Sequence, residues 1–402
     1  MTTRFLLFFT LIFSIALLNA QQKEKKKKYS QDFELEVNAE YRYFYDSPQF
    51  TGQESNFPSI SLQPSYSLSW QKGYQKLVVS PFVQLDRDKN RTYFDIRELY
   101  YQKAKNNWEL NLGFKKVFWG VTESNHLVDI INQSDALKSF DGEQKLGQPM
   151  LQFSWMTSRL GTFDFFYLPY HRKRSFPGDK GRLRFQNTID ANALGYESKN
   201  NEWNPDISLR WKHYIGAFDI GLSYFKGNGR EPFFELDAQG NFLLLYPLID
   251  QYGVDLQLTL GAFLFKLESI YRTASQQDFF AAVTGFEYTF SNIDGNGLDI
   301  GILGEYLYDE RGQFAFSGFQ NDIFYGSRIA FNDSRDTAIL FGGIVDLDTN
   351  TKLFSVEASR RFAKNTTLNL ELRMFNNVAE TEPLLGFFRQ DSFVNLSFFK
   401  YF

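Results

Sequence analysis

The sequence predicts an all-β fold, a transmembrane antiparallel up-and-down β-barrel of outer-membrane type with about 18 strands. Segments of about ten residues alternate apolar and polar side chains along most of the chain, and turn-like and long connections alternate between them. Aromatic residues stand at many strand ends, where amphipathic rings settle at membrane interfaces. A soluble sandwich gives no reason for the alternation of connection lengths.

The composition agrees with finely interleaved apolar and polar residues. The 402 residues include 45 Phe and no Cys, and 18% are aromatic, yet the mean hydropathy is −0.36. Beyond the N-terminal run, no apolar stretch is long enough for a membrane helix. The net charge of −4 and the pI near 5.6 argue against nucleic acid as a partner.

The N-terminus predicts export. Residues 1–20 are typical of a secretory signal peptide, with Arg4 before the apolar run Phe5–Leu18 and a plausible cleavage site at Asn19-Ala20. Residues 21–31 are a basic segment, which we interpret as a periplasmic tail. Residues 32–402 are then a single barrel domain, multi-pass in the outer membrane, with both termini in the periplasm.

The strands follow from alternation with a period of two. In the first, Phe33, Leu35 and Val37 alternate with Glu34 and Glu36. The same pattern returns in Ile60–Trp70, Leu77–Leu85, Thr92–Lys103, Trp108–Lys115, Leu151–Met156, Phe163–Leu168, Ile207–Ile215, Phe218–Phe225, Tyr252–Leu260, Phe263–Arg272, Phe280–Phe290, Leu298–Tyr308, Phe324–Phe331, Thr337–Val345, Lys352–Phe362, Thr366–Phe375 and Asp391–Phe402. The total falls to 16 if Leu151–Met156 and Phe163–Leu168 belong to a loop.

The connections after odd-numbered strands are often long, and those after even-numbered strands are turn-like. We therefore predict extracellular loops that include residues 119–149, 171–205 and 227–247. Residues 119–149, the third loop, are far longer than a hairpin requires. In porin-like barrels a loop in this position can fold into the lumen and set its width.

The polar residues of the strands are predicted to face the lumen, because charges in hydrocarbon cost about 2–4 kcal/mol for a basic residue at mid-depth. The set includes Glu40, Arg42, Asp95, Arg97, Arg210, Glu268, Arg272, Glu305, Glu371 and Arg373. Either these charges line a hydrated channel, or they form a salt-bridge lattice that fills the barrel.

Two loops carry candidate site residues. The third loop contains His126, Asp129 and Asp135, which we predict near a constriction. The fourth, residues 171–205, contains Arg172, Arg174, Arg182 and Arg184. These arginines could attract anionic solutes or lipopolysaccharide phosphates, or they could pair with nearby carboxylates.

No chemistry of catalysis or metal binding is indicated. The chain has three His, no Cys and no His pair at ligand spacing, and no Ser/His motif is recognisable. We therefore predict no enzyme activity, no metal and no cofactor.

The segment from Leu112 to Gly120, followed by residues 129–135 and 145–149, resembles uncharacterised porin-like outer-membrane barrels of Bacteroidota-type bacteria. Residues 168–178 and 227–232 resemble the same family. The resemblance implies a fold and a membrane, and it assigns no substrate.

Three functions remain open from the sequence. The first is a porin-like channel for passive diffusion of small solutes, narrowed by an inward-folded third loop. The alternative is a structural or accessory subunit of a larger outer-membrane secretion, assembly or uptake complex, with other outer-membrane proteins as partners. The third is a surface binding protein that acts through its long loops. In each case outer-membrane lipid and lipopolysaccharide surround the barrel.

Overall fold

The computed structural model describes residues 29–189, 194–236, 242–379 and 382–402. The predicted signal peptide and residues 21–28 of the predicted tail lie outside this part. The barrel strands are β1 Tyr29–Phe44, β2 Asn56–Trp70, β3 Gln75–Asp86, β4 Tyr93–Lys105, β5 Trp108–Lys115, β6 Gln148–Thr157, β7 Gly161–Leu168, β8 Asp206–Ile215, β9 Phe218–Asn228, β10 Leu248–Leu260, β11 Phe263–Ala274, β12 Phe279–Ile293, β13 Leu298–Asp309, β14 Asn321–Ala330, β15 Ala338–Asp346, β16 Lys352–Ala363, β17 Thr366–Asn376 and β18 Phe393–Tyr401.

These strands form one closed sheet. Each pairs antiparallel with the next along the chain, and β18 pairs antiparallel with β1, where Phe393 lies opposite Phe44. The predicted antiparallel barrel of 18 strands is confirmed. The alternative count of 16 is wrong, because β6 and β7 are paired to each other and to β5 and β8. β1 begins at Tyr29, so the last residues of the predicted tail are already strand.

The connections have the predicted asymmetry. β8 and β9 are joined by Gly216-Ala217, where a φ of +63° at Gly216 permits a two-residue turn. The long connections span residues 45–55, 116–147, 169–205, 229–247, 310–320 and 377–392, and each follows an odd-numbered strand. No helix in the described ranges is long and apolar enough to cross a membrane.

The two faces of the sheet are inverted relative to a soluble protein. Phe94 is 64% exposed and Leu112 is 55% exposed, whereas their neighbours Asp95 and Asn111 are buried. In water this arrangement would be unfavourable, because a large apolar surface would stay exposed to solvent. The apolar face therefore suits lipid, and the polar face points into the barrel.

Three short strands outside the barrel sheet join the fourth and fifth loops. Phe242–Tyr246 pairs antiparallel with Phe233–Leu236 and parallel with Gly195–Tyr196. The sequence predicts loop for these segments, and the structure shows that they pair as strands. Their packing holds the fourth loop, residues 169–205, against the fifth, residues 229–247.

Candidate functional site

The third loop, residues 116–147 between β5 and β6, is closed at its base by one side chain. The amide nitrogen of Asn132 donates to the carbonyls of Lys115 (2.9 Å) and Leu146 (2.8 Å), and its oxygen accepts from Val117 N (2.9 Å). Asn132 is buried, so each bond replaces water that the backbone groups have lost. Both ends of the loop are thereby joined.

Two strand carboxylates hold the first half of the loop. Glu268 on β11 accepts from Val121 N (2.7 Å), Thr122 N (3.1 Å) and Val128 N (3.1 Å), and the Thr122 hydroxyl adds a fourth bond of 2.8 Å. Glu305 on β13 accepts from Glu123 N (2.7 Å) and Ser124 N (2.9 Å). Hydrogen bonds from backbone N–H groups to an ionised carboxylate are stronger than neutral ones. This part of the loop is therefore fixed to β11 and β13.

Other strands hold the second half. Asp135 accepts from Arg97 on β4 (2.5 Å) and from the Tyr93 hydroxyl (2.6 Å). Lys138 donates to Glu40 on β1 (2.8 Å). These partners lie about half the strand ring away from β11 and β13.

A further ion pair ties the same half of the loop to a third arc of the wall. Arg373 on β17 contacts Asp141 at 2.6 Å, and it also pairs with Glu371 on its own strand and with Glu357 on β16. Glu357 and Glu371 lie directly opposite each other on the adjacent strands β16 and β17, which places two negative charges side by side. The guanidinium relieves that repulsion, and through Asp141 it also holds the loop.

The three predicted residues of the third loop thus contact different parts of the molecule. His126 lies 3.5 Å from Glu268. Burial lowers the pKa of the imidazole, but hydrogen bonding to Glu268 and the charges of Glu268, Asp129 and Glu143 together raise it above its ordinary value. Asp129 pairs with Lys145 at 3.0 Å within the loop and accepts from Trp119 N. Burial raises the pKa of the Asp129 carboxyl in spite of Lys145. Asp135 reaches β4, as described above.

Three of the four arginines predicted in the fourth loop are paired within the chain. Arg172 donates to Asp95 (2.6 Å) and to the carbonyl of Gly147 (2.7 Å). Arg182 donates to Asp391 (2.6 Å), and Arg184 donates to backbone carbonyls, including that of Gln186 (2.6 Å). Arg174 differs, because its guanidinium stacks 4.7 Å from the Phe316 ring centre and lines a cavity.

The predicted strand charges divide into two groups. Toward β1–β10 they form ion pairs with near neighbours on the inner wall: Arg97 with Asp95 (3.1 Å) on β4, the buried Glu40 with Arg42 (3.5 Å) on β1, and Arg210 on β8 with Asp255 on β10 (2.8 Å). Toward β11–β17, Arg272 and Arg373 border a cavity of about 330 Å³, whereas Glu268 and Glu305 hold the third loop. The charged residues lining the cavity are Glu123, Asp129, Asp141, Glu143, Lys145, Arg174, Arg230, Glu231, Arg272, Asp309, Arg311, Glu357 and Arg373.

Some of these residues were missed at the sequence level. Glu231 pairs with Arg272 (2.8 Å) and Arg311 (3.5 Å), and although burial opposes ionisation these arginines hold its pKa at about 2. Its position directly after Gly227-Asn228-Gly229-Arg230, a segment that carried the family resemblance, was the available signal. Arg311 and Phe316 lie in the loop after β13 and carried no pattern.

A closed barrel of 18 antiparallel strands with an apolar outer face and a polar interior is the fold of outer-membrane porins. The sequence matches no family model and no curated protein. Among solved structures, a BenF-like porin from Pseudomonas fluorescens has a TM-score of 0.55 at 10% identity, over 93% of this chain and 98% of that one. OccD3 (OpdP) from Pseudomonas aeruginosa has a TM-score of 0.55 at 10% identity, over 93% and 91%.

Wzi from Escherichia coli, described as a carbohydrate-binding β-barrel involved in group 1 capsule assembly, has a TM-score of 0.53 at 12% identity, over 91% of this chain and 83% of that one. At such identities the likeness establishes the fold and assigns no activity.

Proposed function

We propose that this chain is an outer-membrane channel for passive diffusion of small solutes, and that its third loop crosses the lumen and narrows it. The observation that carries the proposal is the set of contacts made by that loop. Its first half is bonded to Glu268 and Glu305, and its second half is bonded to Arg97 and Glu40. Because these strands lie on opposite arcs of the ring, a segment bonded to both arcs spans the interior.

The cavity supports a path beside the loop. An 18-stranded barrel is wide enough for an aqueous channel unless loops fill it. The third loop and the ion pairs of β1–β10 occupy one side, and the cavity of about 330 Å³ lies between the loop and β11–β17. A solute would therefore pass along this second side, in contact with both the loop and the wall.

The same barrel supports the predicted location and orientation. The chain enters β1 at Tyr29, opposite Trp70 and next to the turn at Gln71–Gly73, so the N-terminal end lies on the side of the short turns. β18 ends on that side as well, where Tyr401 lies opposite Glu36. Short turns face the periplasm in outer-membrane barrels. We therefore propose periplasmic termini and lipopolysaccharide around the long loops.

Single-channel conductance of the purified protein in a planar bilayer tests the proposal. We expect steady conductance from the full chain and a higher conductance after deletion of residues 123–145. A matched control deletes residues 312–314 from the loop after β13, which leaves every contact of Glu268 and Glu305 in place. If neither the full chain nor the deletion variant conducts, the channel proposal fails. The accessory-subunit hypothesis, which stays a prediction, would then be tested by pull-down from outer membranes.

A further inference from the structure

Arg174 presents unused hydrogen-bond donors to the cavity. Its backbone N–H donates to the Tyr246 hydroxyl (2.8 Å), and its Nε contacts Gln133 Oε1 at 3.4 Å. Within the described ranges its two terminal nitrogens make no hydrogen bond, and the side chain forms no ion pair. Burial lowers the pKa of this guanidinium, although an arginine stays charged in proteins. It is a half-buried cation that lines the cavity.

The neighbouring arginines have partners, which distinguishes Arg174 from them. Arg272 and Arg311 share Glu231, and Arg311 also pairs with Asp309 at 2.7 Å. Arg230 pairs with Asp206 at 2.9 Å. These carboxylates hold their arginines in place and neutralise most of their charge. One positive charge is left over at this end of the cavity, and it is that of Arg174.

An apolar surface adjoins the guanidinium. Phe316, on which Arg174 stacks, and Phe319 and Phe324 line the same cavity. Gly326 and Gly342 lie opposite each other on β14 and β15, and the Phe324 ring occupies the place that their side chains would fill. A Cβ at Gly342 would lie 2.6 Å from that ring. The two glycines therefore let Phe324 lie flat on the wall instead of projecting into the cavity.

We propose that this cavity binds an organic monocarboxylate with an apolar body, whose carboxylate is held by Arg174 and whose body lies on Phe316 and Phe324. The inference rests on the proposed channel and names the class of solute that the channel would favour. A carboxylate matches the two parallel N–H groups of a guanidinium, and ligand pockets of about 300–1,000 Å³ combine apolar walls with a few polar groups in this way.

The opposite side of the cavity limits the ligand to one negative charge. Asp141, Glu357 and Glu371 all pair with the single guanidinium of Arg373, so negative charge is in excess there. Glu143, which also borders the cavity, adds to that excess. A second carboxylate on the ligand would be directed toward this side and repelled. A dicarboxylate should therefore bind more weakly than a monocarboxylate of similar size.

The test uses three probes on the full chain: phenylacetate, acetate as the anion alone, and 2-phenylethanol as the apolar body alone. Binding is measured by equilibrium dialysis in detergent, and interruption of the ionic current is measured in planar bilayers. We expect phenylacetate to bind and to interrupt the current at concentrations where the other two do neither. Arg174→Gln should weaken phenylacetate binding about tenfold or more, because a charge-assisted bidentate pair is lost. Arg174→Lys keeps the positive charge but loses the two parallel N–H donors, so its affinity for phenylacetate should lie between those of the wild type and Arg174→Gln.

Two further variants separate recognition from folding and from net charge. Arg159→Gln removes one positive charge in the exposed turn between β6 and β7 and should leave phenylacetate binding unchanged. Phe316→Ala, a loop change, should weaken binding of phenylacetate and bring its affinity close to that of acetate. Equal binding of phenylacetate by the wild type and Arg174→Gln, in proteins that both conduct in KCl, would overturn this inference and leave the channel intact. If the protein does not conduct but still binds phenylacetate in a way that depends on Arg174, the channel proposal is overturned and the binding inference stands.

Discussion

Replacing Glu268 by Gln should release the first half of the third loop. The carboxylate accepts four hydrogen bonds from Val121, Thr122 and Val128 and is fully buried. Gln keeps one acceptor oxygen, loses the charge and directs an NH₂ group at one or more of the same donors. Breaking a buried charged network costs about 3–5 kcal/mol, and the retained oxygen reduces this to about 2–4 kcal/mol. The ratio of attached to released loop should therefore fall about 30-fold to 700-fold.

Two assays measure the release. Amide hydrogen exchange of residues 121–128 should accelerate by a similar factor, and single-channel recordings should show added current noise or a larger conductance. Glu287→Gln is the matched control. Glu287 on β12 pairs with Lys266 (3.5 Å) and Arg328 (3.8 Å), and in the described part of the chain it accepts no hydrogen bond from a backbone amide of the third loop. If exchange at residues 121–128 is the same in Glu268→Gln as in the control, the anchoring role assigned to Glu268 is wrong.

Three other changes probe the same loop. His126 has a raised pKa, so the stabilisation from its pairing with Glu268 is complete below about pH 6.5 and is lost as the pH rises through the raised pKa. Amide exchange in the loop, corrected for the intrinsic rise of exchange with pH, should quicken as the pH rises above about 6.5, and His126→Gln should abolish this excess. Asp135→Asn should destabilise the loop by about 1–3 kcal/mol, because the buried Arg97 loses the closer of its two carboxylates and keeps only Asp95. Asp336→Asn, which breaks an exposed pair with Arg361, should cost about 0–1 kcal/mol, and both changes are measured by the heat-induced gel shift of the barrel. Asn132→Ala should leave Val117 N and two carbonyls unbonded at the loop base and should raise protease sensitivity near residue 116, a result that unchanged cleavage would contradict.

The strands could be predicted because their signal is local. Each barrel strand meets lipid on one face and polar groups on the other, so alternation survives even in the short strands β6 and β7. The ends of the strands carry a weaker signal: the pattern predicts that β12 ends at Phe290, but the strand continues to Ile293 beyond a bulge after Phe290. Phe242–Tyr246 alternates poorly, because it is a nearly continuous apolar run, and it was interpreted as loop although it pairs with two other loop segments.

The contacts of the loops could not be predicted from the periodicity of apolar and polar residues. Val121 and Glu268 are 147 positions apart, and Arg97 and Asp135 are 38 apart, so no regular spacing links either pair. The sequence indicated that the loop acids and the strand charges were unusual, and it left open whether the strand charges line a channel or fill the barrel. The structure shows ion pairs toward β1–β10 and a cavity toward β11–β17.

The position of the third loop is explained by two kinds of polar group, backbone N–H donors in the loop and carboxylate acceptors on the barrel wall. An irregular loop has backbone N–H groups with no strand partner, and each must find an acceptor once it leaves water. Glu268 and Glu305 have the opposite need, since a carboxylate inside a barrel is costly without donors. Each of them accepts from two consecutive amides of the loop, so both requirements are met at the same place. Glu268 on β11 and Glu305 on β13 are therefore attachment points for the loop, and Arg174 across the cavity is the group that we propose to meet a solute.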